Sequence, residues 1–210
     1  MQKIKKPTVR QKSQIREWTE AVVFAFLIAM VIRTFVVQAF KIPSSSMVPT
    51  LQVGDHILVG KFIYGLKIPF VEKKLFSRDP ARGDVVVFVY PKDKTKDFIK
   101  RVIALPGEKV QVAGREIFIN DKAIKDPWGY YSQEDAGADV KENYGPVVVP
   151  PHCLFVLGDN RDNSQDSRYW GFVDTDAVKG RAFIIYFSWD TASQNLLGLI
   201  RWSRIGHIIH

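Results

Sequence analysis

Residues 84–120 read DVVVFVYPKDKTKDFIKRVIALPGEKVQVAGREIFIN, and this stretch decides the fold class. Four runs within it, Asp84–Tyr90, Asp97–Leu105, Lys109–Val112 and Glu116–Ile119, are rich in β-branched and aromatic residues. Such residues suit a pleated, half-buried surface. Turn chemistry bounds the runs at Arg82-Gly83-Asp84, Leu105-Pro106-Gly107 and Asn120-Asp121. Working outward, His56–Val59, Cys153–Leu157 and Arg181–Phe187 repeat the pattern, with further turns at Val53-Gly54-Asp55 and Pro150-Pro151. Helical periodicity is weak beyond the N-terminal region, and no internal repeat occurs. The expectation is a mostly β body of short, curved antiparallel sheets.

Composition narrows the class further. The chain has 210 residues, 46% hydrophobic and 25% charged, which is globular usage. One cysteine, Cys153, excludes an intrachain disulfide and a multi-thiolate zinc site. The four histidines (His56, His152, His207, His210) form no HExxH pair. The formal charge is +8, but its distribution is uneven. Residues 1–16 hold Lys3, Lys5, Lys6, Arg10, Lys12 and Arg16 and no acid. The remaining 24 basic residues face 22 acidic ones. A nucleic-acid binder spreads its excess charge over a folded face, so nucleic acid is not an expected partner.

After the basic tail come Trp18 and the apolar run Ala21–Ile32, then Arg33, Thr34 and Phe35–Phe40. As one helix, Trp18–Phe40 would reach roughly 34 Å, against a hydrocarbon core of roughly 30 Å. Arg33 at mid-membrane would cost about 2.5–3.5 kcal/mol, and less near the far interface, which its long side chain can reach. The expected organisation is a cytoplasmic tail (1–17), a transmembrane helix (18–40) and an extracytoplasmic domain (41–210). Positive residues stay inside, which sets that orientation. A cleaved secretory signal, with Val37-Gln38-Ala39 resembling an A-x-A site, and a buried core helix are the other readings. Residues 121–149 are polar and poor in core residues, so a small cap is expected around 109–149. Leu196–His210 reads as a packed edge of the domain or as a lipid contact.

Three stretches could carry chemistry. KIPSSSMVPT (Lys41–Thr50) puts three hydroxyls between two prolines; it reads as a juxtamembrane linker or as a nucleophile held at the membrane face. A nucleophilic serine needs a base. His56 lies in a strand pattern and His152 in a turn, and neither a G-x-S-x-G elbow nor a Ser-x-x-Lys occurs. In DFIKRVIALPGE (Asp97–Glu108), strand alternation puts Lys100 between Phe98 and Val102 on one face. It reads as a snorkelling edge lysine, or as a buried amine whose lowered pKa makes it a base. LGDNRDNSQDSRYWG (Leu157–Gly171) reads as a solvated loop of Asx turns or as a hydrogen-bonded network around a site. Its alternating oxygens fail the EF-hand pattern for want of a Gly, and no metal is expected.

In this order, the hydrophobic segment followed by SSSMVPT, RGDVVVF (Arg82–Phe88), KRVIALPGE and GDNRDNSQDSRYWG resemble bacterial type I signal peptidases, the leader peptidase family of Ser-Lys proteases. The match covers most of the chain. The resemblance implies a membrane-bound endopeptidase that removes signal peptides from secretory preproteins. Those substrates carry small residues before the cut, and lipid is the other partner. No cofactor is implied. It implies Ser46 as nucleophile, Lys100 as general base, and Ser44 with the Ser46 amide as oxyanion hole. Ser164 would orient the lysine, Asp166 and Arg168 would form a supporting ion pair, and Gly158 would admit close backbone approach. Phe40, Ile42, Pro43, Met47, Leu51 and Ile99 would shape shallow apolar pockets. Ser45, Ala104 and Glu108 stand where the family often has Gly, Gly and Asp. An inactive homologue that binds exported chains, or a maturation protease for one substrate, would share these motifs.

Overall fold

The computed structural model describes residues 14–64, 78–131, 142–190 and 199–210. Eleven antiparallel strands form two sheets among these residues. They are β1 (Val37–Lys41), β2 (Asp55–Gly60), β3 (Val85–Val89), β4 (Asp97–Ala104), β5 (Lys109–Ala113), β6 (Glu116–Ile119), β7 (Lys122–Ala123), β8 (Asn143–Val148), β9 (Cys153–Leu157), β10 (Val173–Asp174) and β11 (Val178–Ser188). The larger sheet has seven strands in the order β1-β2-β11-β3-β4-β9-β10. The smaller has four, in the order β7-β6-β5-β8. The mostly β, antiparallel expectation holds.

Each strand of the quoted stretch forms where its composition points. β3 is buried nearly throughout, because it lies between β11 and β4 and both its faces are covered. The β6–β7 hairpin turns at Asn120 and Asp121, whose φ values of 52° and 65° are those of a tight two-residue turn. Polar composition gives no strand signal over 121–149, yet Asn143–Val148 forms β8 by pairing with β5. Residues 132–141 of that stretch, and 196–198 of the C-terminal one, lie outside the described residues.

The N-terminal expectation needs correction. Helix α1 spans Gln14–Val31 and passes through a π-helical turn (Ile32–Val36) into β1. Arg16, Glu17 and Glu20 occupy its first turns, which leaves Ala21–Val31, about 16 Å, as its apolar part. No helix among the described residues is long and apolar enough to cross a membrane. The expected helix over 18–40 stops short because Val37–Lys41 pairs with His56–Gly60 instead. That pairing gives β-branched and aromatic residues a pleated surface and their backbone groups partners.

One face of the large sheet is covered by the segment that follows β1. The chain leaving β1 folds back over it, burying Ile42, Met47 and Leu51 with Ile57, Val59, Val85, Val87, Ala182, Ile185 and Ile209. The loop between β1 and β2 is pinned at Gly54, which accepts a 3.0 Å backbone bond from Trp189. Gly54 has φ +92°, and a Cβ there would meet the Trp189 carbonyl oxygen at 2.0 Å. Gly54→Ala should therefore cost about 2–5 kcal/mol from strain and overpacking. The check is a fall in the urea midpoint with the slope unchanged.

Candidate active site

Two segments meet at the site. Pro43–Ser46 arrives from β1, and Asp97–Lys100 is the first half of β4. Between them, with Asn163 and Gln165 on the rim, lies a cleft of about 340 Å³. β4 pairs with β3 along Asp97–Arg101 but with β9 only from Arg101 onward. The β9-side edge of Asp97–Lys100 thus lies outside that pairing.

Lys100 and Ser46 touch across this cleft. Lys100 Nζ donates to Ser46 Oγ at 2.8 Å and to the Ile99 carbonyl at 2.9 Å. Both residues are buried, at 4% and 8% exposure. Alternation along β4 sets the direction, since Lys100 lies on the face shared with Phe98 and Val102 and its Nζ is 5.5 Å from the Phe98 ring centroid. Burial lowers the Lys100 pKa to about 8, against the upward pull of the Asp166 and Asp159 charges. The amine is thus partly neutral near physiological pH and in contact with a hydroxyl it can deprotonate. Ser44 Oγ lies 3.4 Å from Ser46 Oγ, at the exposed mouth.

The remaining expected residues divide. Asp166 and Arg168 form the expected ion pair, fully desolvated, at 2.9 Å in a fork. Asp166 also accepts the Gly158 N–H at 3.1 Å. Gly158 permits close approach: a Cβ there would stand 2.2 Å from Ser164 Oγ and 2.5 Å from the Ser46 carbonyl oxygen. Ser164 is therefore packed beside the site. Its Oγ is buried with no hydrogen-bond partner among the described residues, so it makes no bond to Lys100. Pro43 and Ile99 line the cleft. Ile42, Met47 and Leu51 are core residues beneath it, and Phe40 packs against the same core.

Sequence reasoning missed two further buried ion pairs that anchor the 157–171 loop, one to β4 and one to Asp126. Arg101 forks onto Asp159 at 2.8 and 2.6 Å with both side chains fully buried. Arg101 also donates to the carbonyls of Gly83 and His210, and Thr50 donates to Asp159 at 2.5 Å. Arg161 pairs with Asp126 and donates to the Gly158 carbonyl. Asn160 N–H then reaches the Ser46 carbonyl at 3.1 Å, and Asn163 Nδ2 reaches Ser45 Oγ at 3.1 Å. Alternation along β4 puts Arg101 opposite Lys100, and the loop's Asp and Arg content was visible. Which carboxylate meets which guanidinium was not, because Arg101 and Asp159 lie 58 positions apart. No group of His, Cys, Asp or Glu among the described residues is arranged to hold a metal.

A hydroxyl in contact with a desolvated amine, beside an unpaired strand edge, is an arrangement chemically able to serve a serine hydrolase. The comparisons assign the chain more closely. The family model described as "Signal peptidase, peptidase S26" matches residues 15–189. A signal peptidase I of Pseudomonas fluorescens is 38% identical over 86% of this chain and 75% of its own length. A probable signal peptidase I-2 of Synechocystis is 40% identical over 85% and 80%. A solved signal peptidase I from Enterococcus faecalis is 30% identical, over half of this chain and 97% of its own, with a TM-score of 0.42. The chain belongs to the signal peptidase family, peptidase S26, and is a serine protease.

Two outcomes follow from the site's packing. Gly158→Ala should push Ser164 or the Ser46 backbone out of place and lower kcat by about 10²-fold. The circular dichroism spectrum should stay that of the parent. The buried amine also has a stability signature. Its folded pKa is lowered, so the unfolded chain binds the extra proton between about pH 8 and 10.5. The Lys100 contribution then rises with pH across that window by about 3 kcal/mol, and below pH 8 the burial penalty is felt in full. Lys100→Met should lack that rise and match or exceed the parent's melting temperature at pH 7, as parallel thermal melts from pH 6 to 10 would show.

Proposed function

We propose that this protein is a membrane-associated endopeptidase that removes signal peptides from exported preproteins, with Ser46 as nucleophile and Lys100 as general base. The carrying observation is the 2.8 Å contact between a buried Nζ and the Ser46 hydroxyl. The neutral amine takes the Ser46 proton as Oγ attacks the scissile carbonyl. Ser44 Oγ and the Ser46 N–H are the donors for the developing oxyanion; one such donor is typically worth about 2.7–4 kcal/mol. The ammonium then protonates the leaving amine, and water releases the acyl-enzyme. Substrate filling the cleft excludes water and keeps the lysine neutral.

The preprotein lies extended along Asp97–Lys100, where the main chain is open to a further strand. Main-chain bonds supply affinity, and shallow walls at Pro43 and Ile99 select small side chains before the cut. Ser164, buried beside Gly158 with its hydroxyl unpartnered among the described residues, is the residue assigned to orient the amine once substrate is bound. Membrane association rests on α1, where Trp18, Phe24, Phe26, Leu27, Met30 and Val31 are each at least half exposed. Burying such residues in lipid is worth about 25 cal/mol per Å². The reach of its apolar part suits one leaflet, at the face where exported chains emerge.

Purified full-length protein incubated with an unrelated set of preproteins should cleave them after small residues. Ser46→Ala and Lys100→Ala should each remove cleavage while leaving the fold intact. kcat/KM for the parent should fall about tenfold per pH unit below a midpoint near 8, as the amine takes up its proton. Full activity in either variant, or a rate without an acid limb, would sink the assignment.

A further inference from the structure

Two carboxamides at the cleft take no part in the chemistry at Ser46. Asn163 and Gln165 are exposed, and both line the cleft beside Ser45 and Lys100. Asn163 is held in place, since its Nδ2 donates to Ser45 Oγ at 3.1 Å. A glycine at position 45, the residue the family often has, would offer no such acceptor. The Asn163 Oδ1 and the whole Gln165 carboxamide make no hydrogen bond among the described residues. The pair thus keeps both acceptors and donors for a ligand, without a charge.

The strand edge decides which part of a substrate meets them. Residues before the cut lie along Asp97–Lys100, where β9 leaves the edge of β4 open. At Arg101, the next residue, β4 pairs with Leu157, the last residue of β9. The edge is closed from there on, and the chain that closes it runs on through Gly158 to Gln165. A substrate in the cleft therefore cannot follow β4 past Lys100. It leaves the edge at this loop, whose cleft-lining residues are Asn163 and Gln165. This holds whichever way the substrate runs, because the bond to be cut sits at the Lys100 end, beside Ser46.

We infer that Asn163, tethered by Ser45, and Gln165 form a polar subsite for the first residue after the cut, one that selects an uncharged side chain able to donate and accept hydrogen bonds. The inference rests on the endopeptidase reading above and adds to it the leaving side of the substrate. The cleft is divided by chemistry, with apolar walls at Pro43 and Ile99 before the cut and carboxamides after it. An apolar side chain there would strip water from two amides and return nothing, whereas an amide side chain replaces that water bond for bond.

The test compares two preproteins that differ only in the residue after the cut, glutamine in one and its near-isostere methionine in the other. The full chain in nonionic micelles should cleave the glutamine preprotein with a kcat/KM about fivefold higher. Mass spectrometry should place both cuts at the same bond. In Asn163→Leu/Gln165→Leu the ratio should fall to about one, because leucine neither donates nor accepts. Gln165→Leu alone changes an exposed side chain with no bond to lose, and should leave a ratio of about two. Ser45→Gly should lower the ratio too, since Asn163 loses its tether. A merely structural role would slow both preproteins alike and leave the ratio unmoved. The preference for alanine over valine immediately before the cut should be the same in parent and variants. A parent ratio near one, a parent-like ratio in the double variant, or an equal change in the preference before the cut would each overturn the subsite. Failure of the parent to cleave either preprotein would overturn the endopeptidase reading itself.

Discussion

The buried contact between the Lys100 amine and the Ser46 hydroxyl is the constraint around which the neighbouring segments pack. Water would hold the Lys100 amine protonated at its ordinary pKa. Burial at 4% exposure brings the pKa to about 8, and two carboxylates, Asp166 and Asp159, oppose the shift. Desolvation is the larger effect, and the two acids are themselves paired with Arg168 and Arg101. The ion pairs near the site therefore act on its chemistry as well as on its shape.

Those pairs are an expensive way to hold a loop. Burying charges costs several kcal/mol per ion, and a well-packed apolar replacement is often no less stable. Here the guanidiniums do what apolar side chains cannot. Arg101 joins Asp159 to the carbonyls of Gly83 and His210, and Arg161 joins Asp126 to the Gly158 carbonyl. Each satisfies backbone groups of irregular segments that have no sheet to pair with. The loop so fixed presents Gly158 and the Asn160 N–H to the serine segment at close range. Hydrogen bonds from the loop thus position the serine segment, which Ile42, Met47 and Leu51 anchor in the core.

The N-terminal region shows how context overrides composition. Trp18–Phe40 has the length and hydropathy of a spanning helix, yet its last four residues, with Lys41, are recruited as the edge strand of the large sheet. FVVQAF satisfies both a helical and a strand reading, because β-branched and aromatic residues are tolerated in lipid and preferred in sheets. Pairing with β2 decides between them. The helix that remains carries exposed apolar side chains from Val22 to Val31, and none of its residues is buried among the described residues.

Local composition by itself determined the strands β2, β3, β4, β5, β6, β9 and β11, since each carries enough β-branched and aromatic residues to be read without its neighbours. The resemblance carried by the order of the motifs pointed to Ser46, Lys100 and the Asp166–Arg168 pair. Strand alternation already put Lys100 on an apolar face. Only the tertiary structure decided that β1 is a strand, that Asn143–Val148 pairs with β5, and that Arg101 and Arg161 find Asp159 and Asp126. It also placed Ile42, Met47 and Leu51 beneath the cleft rather than along it. The reason is the same in each case. Propensity and periodicity act over a few residues, whereas sheet curvature and charge pairing join segments far apart in the chain, and burial depends on what those distant segments cover.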